Sequence, residues 1–365
     1  MSNKVKRELE KIDIPDELHD RAKSGVKKAK TETRRSKQAA GRPRFYKRLI
    51  LVATVFLMIG SALSFTPALA TVQQIYDQIF SSQHIDDTGV RMALKSGEGQ
   101  ILDQTYYDKK HDITVHFDRV LTDGKETKLL LTYQSDKTDL QNYYIDLFEG
   151  VSSINLIVGN EQKRLDNVGW GSRYYNSEKN KVAEALSFDS IKNHEGQQIS
   201  LEVEDLTIWR DGDGGEAQTT WPVEFKLKQS AISERESVTI NKEFTFKDET
   251  YKIKHVEFSE METRVVVTGS DIKAWTENGT KVRMMSKLEK QFLNPRENSK
   301  EYGYRADVEK SGVYLKSSGE KVDPIYSKGE VEGADNQFVM TFAPVKDRQK
   351  YILEVGEDIE IPLTK

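Results

Sequence analysis

Cysteine is absent from this chain of 365 residues, which excludes disulfides, thiolate metal sites and a cysteine nucleophile. Any folded part must therefore be held by packing. Histidine is scarce: His19, His84, His111, His116, His194 and His255 include no pair with the spacing of a helical zinc site. His111 and His116, five apart near a strand, should face opposite sides and share no ion. There is also no GxSxG elbow, no phosphate-cradling glycine loop and no dinucleotide fingerprint. On this reading the chain is not an enzyme and has no catalytic residue, metal ligand or cofactor.

Charge is unevenly distributed. Residues 1–48 hold 16 Lys and Arg against 7 Asp and Glu, a net +9, while residues 71–365 hold 39 against 52, a net −13. Between them, Leu49 to Ala70 (LILVATVFLMIGSALSFTPALA) has 22 residues and no ionisable group. Roughly 20 apolar residues cross a bilayer core as a helix. Arg42, Arg44, Lys47 and Arg48 precede the stretch, with Phe45 and Tyr46 at interfacial depth. The positive-inside rule then puts the N-terminus in the cytoplasm and the acidic remainder outside. Ala68-Leu69-Ala70 has the small-x-small pattern of a signal-peptidase site, so a cleaved leader is the competing reading. The long N-terminal region and long apolar run favour a retained transmembrane helix.

The inner segment, residues 1–48, reads as partly helical. Pro15 suits the first position of a helix, and Asp16 and Glu17 suit the positive end of its dipole. Leu18, Ala22, Val26 and Ala29 then share one face, a stripe too thin to fold alone but suited to ordering on a partner. The basic run Lys27 to Arg48 is expected to set orientation and to lie against anionic lipid head groups. Without a fold that reads bases, direct nucleic-acid recognition is not expected.

After a linker or short helix over residues 71–87, the pattern becomes that of strands. Ile113, Val115 and Phe117 alternate with polar residues, Asp123-Gly124 supplies a turn, and Leu129 to Tyr133 returns. Trp221 to Leu227 alternates with its odd-numbered positions on one face. Two stretches also recur in order. Thr127–Thr132 (TKLLLT) resembles Thr263–Thr268 (TRVVVT). Leu186–Lys192 (LSFDSIK) with Leu201-Glu202-Val203 resembles Met340–Lys346 (MTFAPVK) with Leu353-Glu354-Val355. This predicts two related extracellular β-sandwiches of immunoglobulin-like shape, over residues 88–230 and 236–365. The expected fold is thus mainly β, preceded by short cytoplasmic helices and one transmembrane helix.

Other conspicuous features have plain structural readings. Asp211 to Glu216 (DGDGGE) has the oxygen-rich look of a calcium loop, but it is shorter than an EF-hand loop and reads as a solvated hairpin loop between Trp209 and Trp221. Asn278-Gly279-Thr280 matches a glycosylation sequon and reads as a hairpin turn. Trp170, Trp209, Trp221 and Trp275 are expected in cores.

Ile12-Asp13-Ile14-Pro15-Asp16-Glu17-Leu18, Gly25-Val26-Lys27-Lys28-Ala29-Lys30, the basic run with its single span, and the Ile113 to Tyr133 hairpin together resemble a bacterial family, domain of unknown function 4179, whose members are similar to membrane-bound anti-sigma factors. The resemblance implies a signalling device of Gram-positive bacteria at the cell membrane. Its inner segment would hold an extracytoplasmic-function sigma factor through Leu18, Ala22, Val26 and Ala29, and its outer domains would sense the envelope. This chain departs from better-known anti-sigma domains in lacking a His/Cys zinc pattern. The alternative is an envelope-anchored binding or structural protein whose sandwiches touch cell-wall polymer or another surface protein.

Overall fold

The structure is a computed structural model that describes residues 79–169, 171–210, 213–277, 280–299, 302–326, 336–345 and 350–363. The expected span Leu49 to Ala70 and the inner face of Leu18, Ala22, Val26 and Ala29 lie outside these residues. Among the described residues, no helix is long and apolar enough to cross a membrane.

The chain is mainly β. A short helix, α1 (Thr88–Lys95), precedes β1 (Gln100–Asp108), β2 (Ile113–Thr122), β3 (Glu126–Gln134), β4 (Tyr143–Tyr144), β5 (Ser153–Val158), β6 (Glu161–Leu165), β7 (Ser172–Asn176), β8 (Lys181–Asp189), β9 (Gln198–Arg210) and β10 (Asp213–Lys226). One antiparallel sheet has the order β1-β2-β3-β8-β7 and the facing sheet β10-β9-β5-β6, with β4 added to β9. Their inner faces share one core: Val115, Phe117, Leu129, Leu131 and Phe188 come from the first sheet, and Ile154, Leu201, Val203, Trp221 and Val223 from the second. The odd-numbered face of Trp221 to Leu227 is buried there.

The run Leu129-Leu130-Leu131 does not alternate because β3 is covered on both sides. Leu129 and Leu131 enter the core between the sheets, whereas Leu130 meets Phe80, Val90, Ala93 and Leu94 from the helical segment. An apolar central strand of this kind needs α1 as its lid.

The second half comprises β11 (Glu236–Phe246), β12 (Glu249–Phe258), β13 (Thr263–Gly269), β14 (Ala274–Glu277), β15 (Thr280–Arg283), the helix α2 (Lys287–Leu293), β16 (Arg296–Ser299), β17 (Gly303–Ala306), β18 (Val313–Ser317), β19 (Glu320–Val322), β20 (Gln337–Phe342), β21 (Tyr351–Val355) and β22 (Ile359–Pro362). Its sheets run β11-β12-β13-β20 and β19-β18-β21-β22, beside two small hairpins, β14-β15 and β16-β17. Val265, Val267, Met340 and Phe342 meet Val313, Leu315, Leu353 and Val355 in a second core.

The strand order repeats. β1-β2-β3-β8 answers to β11-β12-β13-β20, and β6-β5-β9-β10 to β19-β18-β21-β22. Register breaks fall at the same places: between Ile101 and Gln104 and between Thr239 and Lys242 in the outer pairs, then between Phe117 and Arg119 and between Ile253 and His255 in the next. The recurring stretches in the sequence occupy β3 and β13, then β8 with β9 and β20 with β21. Thr127 Oγ1 accepts the Ile191 N–H at 3.0 Å, and Thr263 Oγ1 accepts that of Val345 at 3.1 Å.

Candidate functional site

In the sequence, the segment Ile79 to Lys95 follows the expected span, and both sandwiches hold it. Asp87 starts α1: its Oδ1 accepts the Val90 N–H at 3.1 Å, an N-cap that satisfies one free donor of the first turn. The other oxygen, Oδ2, lies 2.8 Å from Lys128 Nζ on β3, with both side chains buried. Lys128 also pairs with Glu126 at 3.7 Å, and Ser187 donates to Glu126 at 2.7 Å. Ser172 of β7 accepts the Asp87 N–H at 3.2 Å and donates its hydroxyl to Asp86.

The second sandwich grips the same segment. The Tyr304 N–H donates to Asp86 Oδ2 at 3.1 Å, and Arg305 donates to the Gln83 carbonyl at 2.8 Å. Asp323 takes the Thr88 hydroxyl at 3.4 Å and lies 3.9 Å from Arg91. The His84 ring is stacked 4.0 Å from Tyr174 of the first sandwich and 5.3 Å from Tyr302 of the second. Gly89 permits the closest approach: a Cβ there would fall 1.8 Å from the Met261 carbonyl oxygen. Met261 joins the apolar cluster of Phe80, Val90 and Leu130.

Between the sandwiches the chain is pinned by charge. The Arg235 guanidinium reaches Asp123 Oδ2 at 2.5 Å, Glu262 Oε1 at 2.7 Å and Glu257 Oε2 at 3.3 Å. Burial alone would lower the Arg235 pKa, but Glu262 and Asp123 override it and hold the group firmly cationic. Burial raises the Asp123 carboxyl, against the pull of Arg235. Arg264 adds a second cation, 3.7 Å from Glu262 and 3.8 Å from Glu257. Backbone contacts reinforce the link, with the Ser233 N–H donating to the Thr122 carbonyl at 2.8 Å and a parallel bridge between Thr122 and Ile232.

The two turns that meet here have one design. In each, the first residue's N–H donates to a glutamate carbonyl three positions on at 2.9 Å: Asp123 to Glu126, and Ser259 to Glu262. Asp123 Oδ1 accepts the Lys125 and Glu126 amides, two and three positions on, as Ser259 Oγ accepts those of Met261 and Glu262. Each is followed by threonine and a cation, Glu126-Thr127-Lys128 and Glu262-Thr263-Arg264. The recurring stretches stop one residue short of these glutamates, so comparing them in the sequence missed the turns.

The other residues singled out in the sequence are scattered. His111 Nδ1 bonds Asp108 Oδ2 at 2.9 Å in the β1–β2 loop, while His116 Nδ1 bonds Thr105 Oγ1 at 3.0 Å on β2. Gly214, Gly215 and Glu216 are paired strand residues opposite Trp209, Ile208 and Thr207. The loop expected from Asp211 to Glu216 is thus shorter than read, because glycines can pair in a twisted hairpin as well as turn it. Trp221 is core, whereas Trp209 is half-buried and lines a cleft with Tyr144 and Asp146. Trp170 and Asn278-Gly279 lie outside the described residues, as does the side chain of Trp275.

No protein-family profile matches the chain, and no curated protein matches it. Among solved structures, a conserved domain protein from Bacillus anthracis is similar over 70% of this chain and 76% of that one, at 12% identity and a TM-score of 0.42.

Proposed function

We propose that this chain is a single-pass membrane regulator resembling an anti-sigma factor, with residues 1–48 inside the cell holding a sigma factor through the face of Leu18, Ala22, Val26 and Ala29. Residues 49–70 span the membrane. The outer portion is two related immunoglobulin-like sandwiches that sense the envelope. The repeated strand order, the matching register breaks and the paired Thr127 and Thr263 contacts support that relationship.

One observation carries the regulatory reading: the segment that follows the span is held by both sandwiches at once, through Lys128 and Ser172 on one side and Tyr304, Arg305 and Asp323 on the other. A simple anchor needs no such grip. A sensor does, since any event that separates the sandwiches or weakens the Arg235 junction frees the stem and alters what the membrane helix transmits. Such a device needs a bistable element biased by the signal, and the stem is that element.

The test is recovery of the full-length chain from detergent extracts of cells that co-express a candidate sigma factor, beside a chain lacking residues 1–48. The sigma factor should accompany only the former. If neither chain recovers it, the regulatory reading loses its main support. The second reading, an envelope-anchored binding protein, is favoured by the cleft at Trp209 and requires no partner for residues 1–48.

A further inference from the structure

The core-facing side of β8 carries Val182, Glu184, Leu186 and Phe188. Three of these are apolar and lie in the core between the sheets, and the fourth is a carboxylate that is 2% exposed. The second sandwich provides an internal control. Glu184 pairs with Leu131, and Phe338 pairs with Val267, the residue that matches Leu131 in the recurring stretch. Phe338 thus stands in the second core where Glu184 stands in the first. Tyr133, which donates its hydroxyl to Glu184 Oε1 at 2.7 Å, corresponds to Gly269. The first sandwich has exchanged an aromatic plug for a carboxylate and a phenol.

Glu184 Oε1 is engaged by Tyr133, by the Ile145 N–H at 3.5 Å and by Arg173 Nε at 3.4 Å. Oε2 is buried and has no hydrogen-bond partner, a state that native structures seldom leave without a use. The residue lines a cleft of about 250 Å³ together with Arg173, Tyr144, Asp146, Glu149 and Trp209. Besides its ion pair with Glu184 Oε1, Arg173 donates through Nη2 to the carbonyls of Leu140, Gln141 and Tyr143, and its guanidinium lies 4.0 Å from the centre of the Tyr144 ring. Asp146 is oriented by the Phe148 and Glu149 amides on Oδ1 and by Trp209 Nε1 on Oδ2 at 3.2 Å. The cleft therefore presents three carboxylates and one indole against a single cation, Arg173, which is already paired to Glu184 Oε1.

We propose that this cleft binds the ammonium or guanidinium end of an organic cation, with Glu184 Oε2 accepting its hydrogen bond, Asp146 supplying a second negative charge and Trp209 flanking it. Charge-assisted bonds of this type are the strong ones, and an indole face also attracts cations. An anion is repelled by Asp146 and Glu149, and a neutral sugar brings no positive charge to Glu184 Oε2, the oxygen without a hydrogen-bond partner. Burial holds the Glu184 carboxyl up to about 7, with Arg173 and Tyr133 opposing and Asp146 assisting. The charged groups facing it are Arg173 on β7 and Asp146 and Glu149 on the loop after β4. A bound cation requires the ionised carboxylate, so below neutral pH binding releases a proton and affinity rises with pH. The inference does not depend on the membrane or sigma-factor reading.

The test is calorimetric titration of the full-length protein in non-ionic detergent with agmatine and 1,4-diaminobutane, against N-acetylglucosamine and acetate. The cations should bind saturably, more tightly at pH 8 than at pH 6, with proton release that scales with the buffer's ionisation heat. Glu184→Gln should lose about tenfold or more. Asp146→Asn, which keeps the core intact, should lose less but still measurably, and circular dichroism checks the fold of both variants. The proposal is overturned if the wild-type protein binds neither cation, if both variants bind like wild type, or if the sugar binds more tightly.

Discussion

Lys128 Nζ lies 2.8 Å from Asp87 Oδ2, and both side chains are shielded from solvent. One lysine thereby joins the central strand of the first sandwich to the residue that caps α1. Its second partner, Glu126, belongs to the turn that begins the strand. Breaking a buried pair by removing one member costs about 3–5 kcal/mol, because the remaining charge is left uncompensated.

Gly89→Ala tests how tightly α1 is wedged between the sandwiches. Alanine favours a helix over glycine by about 1 kcal/mol, so helix propensity alone predicts stabilisation. The added methyl would sit 1.8 Å from the Met261 carbonyl oxygen, and backbone cannot yield as a side-chain tip can. Overpacking of this kind costs about 1–3 kcal/mol, so the net effect should be destabilising. A thermal melt decides the sign.

Arg235→Gln tests the junction. It removes the cation shared by Asp123, Glu257 and Glu262 and leaves Arg264 as partial compensation. A loss of about 3 kcal/mol is expected, and because the residue links two separate cores, calorimetry should split one unfolding transition into two. A single unshifted transition would count against a charge-locked junction.

Glu184 gives a pH signature. Its folded-state pKa is raised from 4.5 to about 7 by burial. Above about 7 the folded protein carries the full penalty of a buried charge. As pH falls from 7 to 4.5 the folded state takes up a proton that the unfolded state does not, so stability rises, by roughly 3 kcal/mol at most. Below 4.5 nothing more is gained. Glu184→Gln should flatten this part of the profile, measured as the difference in denaturation midpoints between pH 7.5 and 5.

Much of the fold was legible in the sequence. The alternation at Trp221 to Leu227 marks a strand with one buried face, that at Ile113 to Phe117 a strand whose polar side is covered as well, at His116, and the recurring stretches fall on strands at equivalent places in the two strand orders. The stem grip was not legible. Lys128, Arg235 and Glu262 read as ordinary surface charges until tertiary contacts bury them, and no local pattern joins Asp87 to a strand some forty positions on. Glu184 could have been found: a carboxylate in the core-facing row Val182, Leu186, Phe188 breaks the very period that defines the strand. Gly214 to Glu216 misled in the opposite direction, since turn-forming residues also pair in a hairpin.

Hydrogen exchange across Ile79 to Lys95 in the full-length protein tests the central claim most directly. The wild-type stem should be protected, and Lys128→Met should speed its exchange by about a hundredfold or more, as expected for losing about 3 kcal/mol. Core strands such as Leu201 to Leu206 and Val313 to Ser317 should stay protected. A stem that exchanges freely in the wild type, or one indifferent to Lys128, would contradict a segment held by both sandwiches.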